Sequence, residues 1–278
     1  MEFRYPKFFG FSAKPTGGLK MFLSSILFIL CIAGYLTASH IRHMDNPDDK
    51  ILPTFKQMGE SVYRMAFEVD ARTGERLMLA DTVSSLKRIA IGIITAAFFG
   101  LLIGLNMGLF PGVESLSSMF ITFISIIPPL AILPILFIAA GVDEFAKILL
   151  IFIGTFPLIC RDIYLTVKKI PPEQITKALT LGASQFQATY GIIMPQIIPR
   201  LVDTTRLSFG AAWLFLIAAE AIVSSNGLGY RIFLVRRYLA MDIIIPYVVL
   251  ITFLGFTIDY LLKKFVKWRY PWYLSAKG

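Results

Sequence analysis

Glu220 is the residue in this sequence whose type and setting most directly suggest chemistry. It is the only charged residue between Leu207 and Ser225. A carboxylate in so apolar a stretch is energetically costly, so it faces a cavity or a partner. Two interpretations stay open: a structural hydrogen bond or ion pair, and a group that lines or gates a path for a solute. Arg206 cannot be its partner within one helix, because the intervening residues would separate the two by about 21 Å.

Three arginines follow a glycine-containing turn soon after Glu220. The turn contains Gly227 and Gly229, and the arginines are Arg231, Arg236 and Arg237. One interpretation is an exposed loop that contacts a soluble partner or lipid headgroups. The other is that the arginines attract an anionic solute.

Other kinds of site find little support in the sequence. His40 and His43 have no nearby cysteine, so no metal site is predicted. Cys31 and Cys160 lie in apolar runs and are interpreted as small core residues. No G-x-x-x-x-G-K-[S/T] loop is present to hold nucleotide phosphates, and no catalytic motif appears within the apolar runs. We therefore expect neither a cofactor nor an active site in this chain.

The composition indicates that membrane-spanning helices position Glu220 and the arginines. The chain has 278 residues, of which 56% are hydrophobic and 16% charged, against roughly 25% charged in soluble domains. No charge occurs from Ile89 to Phe110 or from Ser115 to Val142, and about 20 apolar residues suffice to cross a bilayer. The sequence predicts an all-α membrane protein with about six spans, at 21–39, 89–109, 115–141, 144–166, 203–225 and 243–262.

The second span carries small residues at regular spacing. Gly92, Gly100, Gly104 and Gly108 fall on one helical face, where small residues let a second helix approach closely. We predict a tight helix–helix contact along them. A flexible gate is the alternative.

The third span contains two adjacent prolines, Pro128 and Pro129. Together they remove two backbone donors and break or kink the helix. The break either lines a solute path or is a packed kink. Trp213 and Phe215, in the fifth span, have the same two candidate roles.

Residues 171–195, which we call the insert, form a polar segment between apolar runs. Pro172 and Glu173 suit the first turn of a helix. Gly182 interrupts the helical pattern, and a second helix is predicted to stop at Pro195 and Pro199. Two short helices at an angle could dock into a cleft on a soluble partner.

Lysine and arginine in the flanking segments set the orientation. A basic arm at 1–20 and a basic tail at 263–278 place both termini and the insert in the cytoplasm. Residues 21–88 then hold the first span and an outer segment, with an amphipathic helix at 55–67, and 89–262 form the core. Arg231, Arg236 and Arg237 fall outside, against the usual charge rule.

Asp259 is expected to pair with Lys263, four residues on. The net charge of +9 fits these basic ends and anionic headgroups, and no nucleic-acid partner is expected.

The insert resembles a motif of inner-membrane permeases of ATP-binding-cassette importers. That motif reads Glu-Ala-Ala, three residues, Gly, nine residues, then Ile-x-Leu-Pro. This chain has Thr176-Lys177-Ala178, then Gly182, then Ile192-Ile193-Met194-Pro195 at the same spacing. Three positions differ from the motif. At its start Thr176 and Lys177 replace Glu and Ala, and near its end Met194 replaces Leu.

The resemblance covers about residues 80–272, and over this range the chain is similar to the nitrate/sulfonate/taurine subgroup of the family. It is carried by Ala218-Ala219-Glu220, the Gly227-Leu228-Gly229-Tyr230 turn, Gly255, Asp259 and Pro271-Trp272. It implies a type I importer-like fold in a bacterial inner membrane, paired with a second permease copy. It also implies partner ATPase subunits that bind ATP and Mg²⁺, and an external solute-binding protein that meets the outer loop. The residues it assigns to ATPase coupling are Pro172, Glu173, Ala178, Gly182, Ala183, Ile192 and Pro195.

The solute and the transport class stay open at this point. A nitrate-, sulfonate- or taurine-like anion suits the arginines, whereas a neutral or cationic nitrogen compound, such as a urea, guanidine or pyrimidine, suits Glu220. A standalone channel or secondary carrier is the alternative class. It would need a coupling-ion site, and the spans offer few carboxylates besides Glu220.

Overall fold

The computed structural model describes residues 16–46 and 49–275, and the regular secondary structure of this part is helical, without a strand. In chain order the helices are α1 (Gly17–Asp45), α2 (Phe55–Phe67), α3 (Leu77–Leu109), α4 (Pro111–Ile126), α5 (Leu133–Ala140), α6 (Glu144–Lys168), α7 (Pro172–Thr180), α8 (Gln185–Ala188), α9 (Met194–Ile222), α10 (Leu228–Arg236), α11 (Met241–Arg269) and α12 (Pro271–Ser275).

The predicted all-α membrane fold with about six spans is confirmed. Five helical segments are long and apolar enough to cross a membrane, and the number is six if the bent pair formed by α4 and α5 counts as one span. Most of the predicted arm at 1–20 lies outside the described residues, as do the last three residues of the tail. The rest of the tail belongs to α11 and α12.

The contact between α3 and α6 is the most extensive in the molecule. Gly92 faces Ile151 and Gly108 faces Val167, so the two helices run in the same direction. A Cβ atom added at Gly104 would lie 2.5 Å from the Cys160 carbonyl oxygen. The structure therefore places Gly92, Gly100, Gly104 and Gly108 in one seam, where the absence of side chains allows the backbones to approach.

The third span is broken at the double proline. Its two helical parts meet at an angle of 82°. Pro128 precedes a short 3₁₀ turn, Pro129–Ile132, which leads into α5. Neither proline can donate a backbone hydrogen bond, which explains why the helix changes direction there.

The predicted end of the second insert helix at Pro195 and Pro199 is wrong. Helix continues from Gln185 to Ile222 without interruption. A π-turn at Thr189–Ile193 precedes Pro195, so the proline falls in the first turn of α9. Because helix precedes it, Pro195 leaves one carbonyl of the preceding turn without an amide donor, and the helix tolerates this there and again at Pro199, as membrane helices do.

The segment between the first two spans is ordered by local hydrogen bonds. A capping box formed by Thr54 and Gln57 begins α2, which buries Met58 and Met65 and exposes a charged face, as its amphipathic pattern predicted. The Arg42 guanidinium lies 2.7 Å from the Asp49 carboxylate and lowers the pKa of Asp49 to about 2. This bond closes the turn after α1.

We expect Gly104→Ala to destabilise the protein by about 1–3 kcal/mol, because the added methyl group overpacks the α3–α6 seam. The measurement is thermal unfolding in detergent micelles. Gly34→Ala in α1 is the matched control, since a Cβ there meets nothing within 4 Å. Equal melting temperatures for the two variants would contradict the close approach at Gly104.

Candidate functional site

Nine polar side chains from five helices and one loop converge at one end of the bundle. We call them the Arg88 cluster and this end the cluster end; the insert lies at the opposite, insert end. The members are Asp81, Ser85, Arg88, Glu144, Lys147, Glu220, Asn226, Arg231 and Tyr247.

Arg88 is the centre of this cluster, and its side chain is 3% exposed. Its guanidinium donates to Glu220 at 2.6 Å and to both carboxylate oxygens of Glu144 at 2.5 and 2.7 Å. It also donates to the backbone and side-chain oxygens of Asn226 at 3.0 and 2.5 Å. One planar cation thus joins α3, α6, α9 and the loop that follows α9.

Glu220 is fully buried and accepts hydrogen bonds from Arg88, Ser85 and Gly229. Besides Arg88, the Ser85 hydroxyl donates to its two oxygens at 2.8 and 3.0 Å. The backbone amide of Gly229 donates at 2.9 Å. A Cβ atom at Gly227 would lie 2.5 Å from the carboxylate carbon, so glycine is needed where the loop crosses Glu220.

Asp81 holds the other half of the cluster and is also buried. It accepts from Arg231 at 2.8 Å, from the Tyr247 hydroxyl at 3.1 Å and from the Gly227 amide at 2.9 Å. These bonds connect α3 to α10 and α11. The loop after α9 is therefore held on both sides, by Arg88 and by Asp81.

The cluster is balanced in charge. Its three carboxylates, Asp81, Glu144 and Glu220, meet the three cations Arg88, Lys147 and Arg231. A buried pair is tolerated in a low-dielectric interior only when the charges are paired and hydrogen-bonded, as they are here. The arrangement joins the helices of this end to one another. Within the described ranges no cluster of ligating side chains could hold a metal ion.

The predicted exposure of the loop after α9 is wrong for three residues. Gly227 and Gly229 are buried against Glu220, and the Arg231 side chain is only 13% exposed because Asp81 binds it. Arg236 and Arg237 are exposed, as expected. The loop is thus divided into an inward half and an outward half.

Two further predicted site residues lie inside the bundle. Trp213 and Phe215 are 7% and 8% exposed and belong to the core shared by α3, α6, α9 and α11. Phe215 packs directly on Gly154. Pro128 is exposed and Pro129 half-buried.

Asp259 does not pair with Lys263, contrary to the sequence prediction. Its carboxylate lies 3.0 Å from Arg206, which also approaches Asp203 at 3.7 Å. The partner on α9 is preferred because it is half-buried between two packed helices. This ion pair joins α9 to α11 nearer the insert end.

The insert forms an elbow at Gly182. The backbone of Gly182 has φ +88°, in the left-handed region that favours glycine. The Ala183 amide donates to the Ala178 carbonyl at 3.0 Å, and Ser184 with Gln187 forms a capping box that begins α8. Helices α7 and α8 therefore meet at a fixed turn.

The residues assigned to coupling occupy both sides of this elbow. Ala178 is buried and Ile192 half-buried, whereas Pro172, Glu173, Gly182 and Pro195 are exposed. The elbow also exposes large apolar side chains: Leu181 is 89%, Phe186 68% and Tyr190 54% exposed. The Phe186 and Tyr190 rings lie 4.3 Å apart.

Ion pairs join the bundle helices next to the insert, and a side-chain hydrogen bond ties the insert to α9. Arg200 lies 2.5 Å from Asp162, and Lys168 lies 2.6 Å from Glu114. Gln174 on α7 accepts from Gln196 on α9 at 3.0 Å. Helix α7 of the insert is thus bonded to α9, and α4, α6 and α9 are bonded to one another beside it.

The sequence pattern did not single out Asp81, Ser85 and Arg88 as partners of Glu220. Their spacing of four and three residues places all three on one face of α3, and this polar stripe is the signal that could have identified them. Glu144, Lys147 and Asn226 carry no comparable signal, because only the packed helices bring them to Arg88.

Residues 89–269 match the family described as the binding-protein-dependent transport system inner membrane component. The taurine transport system permease protein TauC of Escherichia coli (strain K12) is 32% identical over 190 residues, 68% of this chain and 69% of the relative. The bicarbonate transport system permease protein CmpB of Synechococcus elongatus is 29% identical over 70% of this chain and 69% of the relative.

A solved structure of the MetNI methionine ABC transporter in an inward-facing conformation shares the fold. It matches with a TM-score of 0.57 and 19% identity, over 71% of this chain and 98% of the matched chain. The likeness to type I importer permeases expected from the insert motif is confirmed at the level of fold, and the relatives confirm the subgroup.

We expect Arg88→Gln to destabilise the protein by about 3–5 kcal/mol, because it leaves Glu220 and Glu144 without their shared cation. The measurement is thermal unfolding of the detergent-solubilised protein. Lys87→Gln removes the same charge from the neighbouring exposed position and should change stability by no more than about 0.5 kcal/mol. Similar losses in both variants would show that Arg88 does not hold the cluster together.

Proposed function

Because the chain belongs to the family of inner membrane components of binding-protein-dependent transport systems, we propose that it is the membrane-spanning subunit of an ATP-driven importer for a small anion. Members of this family span the inner membrane several times, as the helices of this chain can. The finer parts of the proposal concern the partner, the coupling and the solute.

The observation that carries the proposal is the exposed apolar elbow. Leu181, Phe186 and Tyr190 project from a helix–glycine–helix turn whose first helix is hydrogen-bonded to α9. Exposed apolar side chains grouped on a rigid turn suit a cleft on a soluble protein. We assign that cleft to an ATPase subunit, which binds ATP and Mg²⁺, since this chain has no phosphate-binding loop.

Coupling would run through the helix that begins at the elbow. The helical segment from Gln185 to Ile222 spans about 55 Å and reaches Glu220 at the cluster end. Closure of two ATPase subunits would displace the elbow, and the continuous helix would carry that displacement to the Arg88 cluster. Such coupling needs different contacts in the two states, which the hydrogen bonds of the loop after α9 could provide.

The charges at the cluster end support an anionic solute. Glu220, the residue that suited a neutral or cationic nitrogen compound, is buried and neutralised by Arg88. Arg236 and Arg237 remain exposed at the same end. Two relatives are named for the transport of taurine and of bicarbonate. A nitrate-, sulfonate- or taurine-like anion is therefore favoured over urea-, guanidine- or pyrimidine-like solutes.

The assembly would comprise two permease copies, two ATPase subunits and an external binding protein in a bacterial inner membrane. Both described ends of the chain lie at the insert end in the helix order, which places them in the cytoplasm if the ATPase is there. A standalone channel or secondary carrier is less well supported, because the buried carboxylates at the cluster end are paired with cations.

We expect Leu181→Glu to weaken binding of the cognate ATPase subunit by about 10- to 100-fold, since burial of one leucine side chain contributes about 1.5–3 kcal/mol. Copurification and ATP-dependent uptake into proteoliposomes measure the effect. The fold should be retained, because Leu181 is 89% exposed.

Val69→Glu is the control, an exposed apolar residue of the cluster end changed in the same way. It should leave ATPase binding unchanged. Normal copurification and uptake with Leu181→Glu would argue against the elbow as the ATPase contact. Uptake that follows a proton or sodium gradient and ignores ATP would instead favour a secondary carrier.

A further inference from the structure

Arg236 and Arg237 are cations that the Arg88 cluster does not neutralise. Neither lies within 4 Å of a carboxylate among the described residues, whereas Arg231, on the same helix, is bound by Asp81. Since the cluster is neutral by itself, these two arginines give this part of the cluster end an excess of positive charge.

The two arginines border a depression of about 500 Å³ between the end of α9 and α10. Its other lining residues include Ile222, Ser224, Tyr230 and Phe233. The Arg236 guanidinium lies over the Phe233 ring, 5.8 Å from its centroid, which holds the cation at the rim. With a water occupying about 30 Å³, the depression can admit a small oxyanion with part of its hydration shell.

The depression is connected to the cluster through its floor. The Ser224 hydroxyl donates to the Asn226 carbonyl at 2.5 Å and accepts from Lys147 at 3.3 Å. Ile222 follows Glu220 by two residues. Any movement of the loop after α9 therefore changes the shape of the depression.

Membrane topology gives these arginines no reason to be there. With the insert in the cytoplasm, the cluster end faces outward, where the distribution of lysine and arginine disfavours positive loops. A solute that benefits from the charge accounts for it.

We propose that Arg236 and Arg237 form an anion-concentrating mouth, in which a small oxyanion such as a sulfonate or carboxylate gathers before it crosses. This inference rests on the proposed importer function for its physiological meaning, but the potential at the mouth can be measured without transport.

The first experiment measures that potential with a cysteine at Ile222, which is 64% exposed. Cys31 and Cys160 are replaced by Ser and Ala, and Ile222→Cys is added. The protein, assembled with its ATPase in phosphatidylcholine nanodiscs, is modified with anionic sulfonatoethyl methanethiosulfonate or with its cationic trimethylammonium counterpart. Both faces of a nanodisc are accessible, and this zwitterionic lipid adds no net charge.

The anionic reagent should react faster than the cationic one, relative to their rates with a free thiol. Arg236→Gln/Arg237→Gln should lower this ratio about fourfold at physiological salt, and more at low salt, as expected when two unit charges that line the same depression are removed. Lys56→Gln/Arg64→Gln removes two exposed cations from α2 at the same end and should leave the ratio unchanged. A ratio that is unaffected by loss of the arginines, or equally affected in the control, overturns the proposal.

The second experiment links the mouth to transport. Initial uptake of radiolabelled taurine, ethanesulfonate and bicarbonate is measured in proteoliposomes with saturating binding protein. The arginine variant should take up its substrate several-fold more slowly than the control variant. Equal uptake despite a changed reagent ratio overturns the role in solute entry. Weaker stimulation by the binding protein with an unchanged reagent ratio would assign the arginines to that contact instead. If the wild-type complex hydrolyses ATP but imports none of these anions, the proposed solute class fails.

Discussion

A hydrocarbon layer does not tolerate an unpaired carboxylate, and the pairing of Glu220 with Arg88 is the interaction on which the cluster end depends. Glu220 is fully buried, and Arg88 lies 2.6 Å from it with almost no exposure of its own. The same guanidinium also binds Glu144 and the oxygens of Asn226. One cation therefore fixes the positions of three spans and of the loop that closes this end of the bundle.

This constraint explains why small residues recur near the cluster. Gly227 passes so close to the Glu220 carboxylate that any side chain would collide with it, and its backbone has φ +122°. The α3–α6 seam imposes the same requirement from Gly92 to Gly108. With α3 and α6 held backbone to backbone, Arg88 and Glu144 remain in register, and the charged contacts depend on that packing.

The sequence was informative about local structure and much less about partners. Six spans, the glycine seam, the broken third span and the elbow at Gly182 could all be predicted, because each depends on residues close together in the chain. Arg88 and Glu220 are 132 residues apart, and no local pattern joins them. The helix was wrongly expected to stop at Pro195, because a membrane helix tolerates the missing amide there, after the π-turn. Arg231 was expected in solvent because Asp81, its partner, lies on a distant helix.

The charges at the cluster end divide into two groups with different physical roles. Those within the cluster are equal in number and opposite in sign, and their hydrogen bonds are directed at one another, so they stabilise one arrangement and have little left to offer a ligand. Arg236 and Arg237 lie outside this balance and face an open depression. Ser224 and the backbone between Glu220 and Gly227 separate the two groups, so a displacement carried by α9 would reach the loop beneath the depression at the same time as it disturbs the cluster. The buried charges thus hold this end of the bundle in one arrangement, and in the proposed mouth the exposed arginines determine what collects above it.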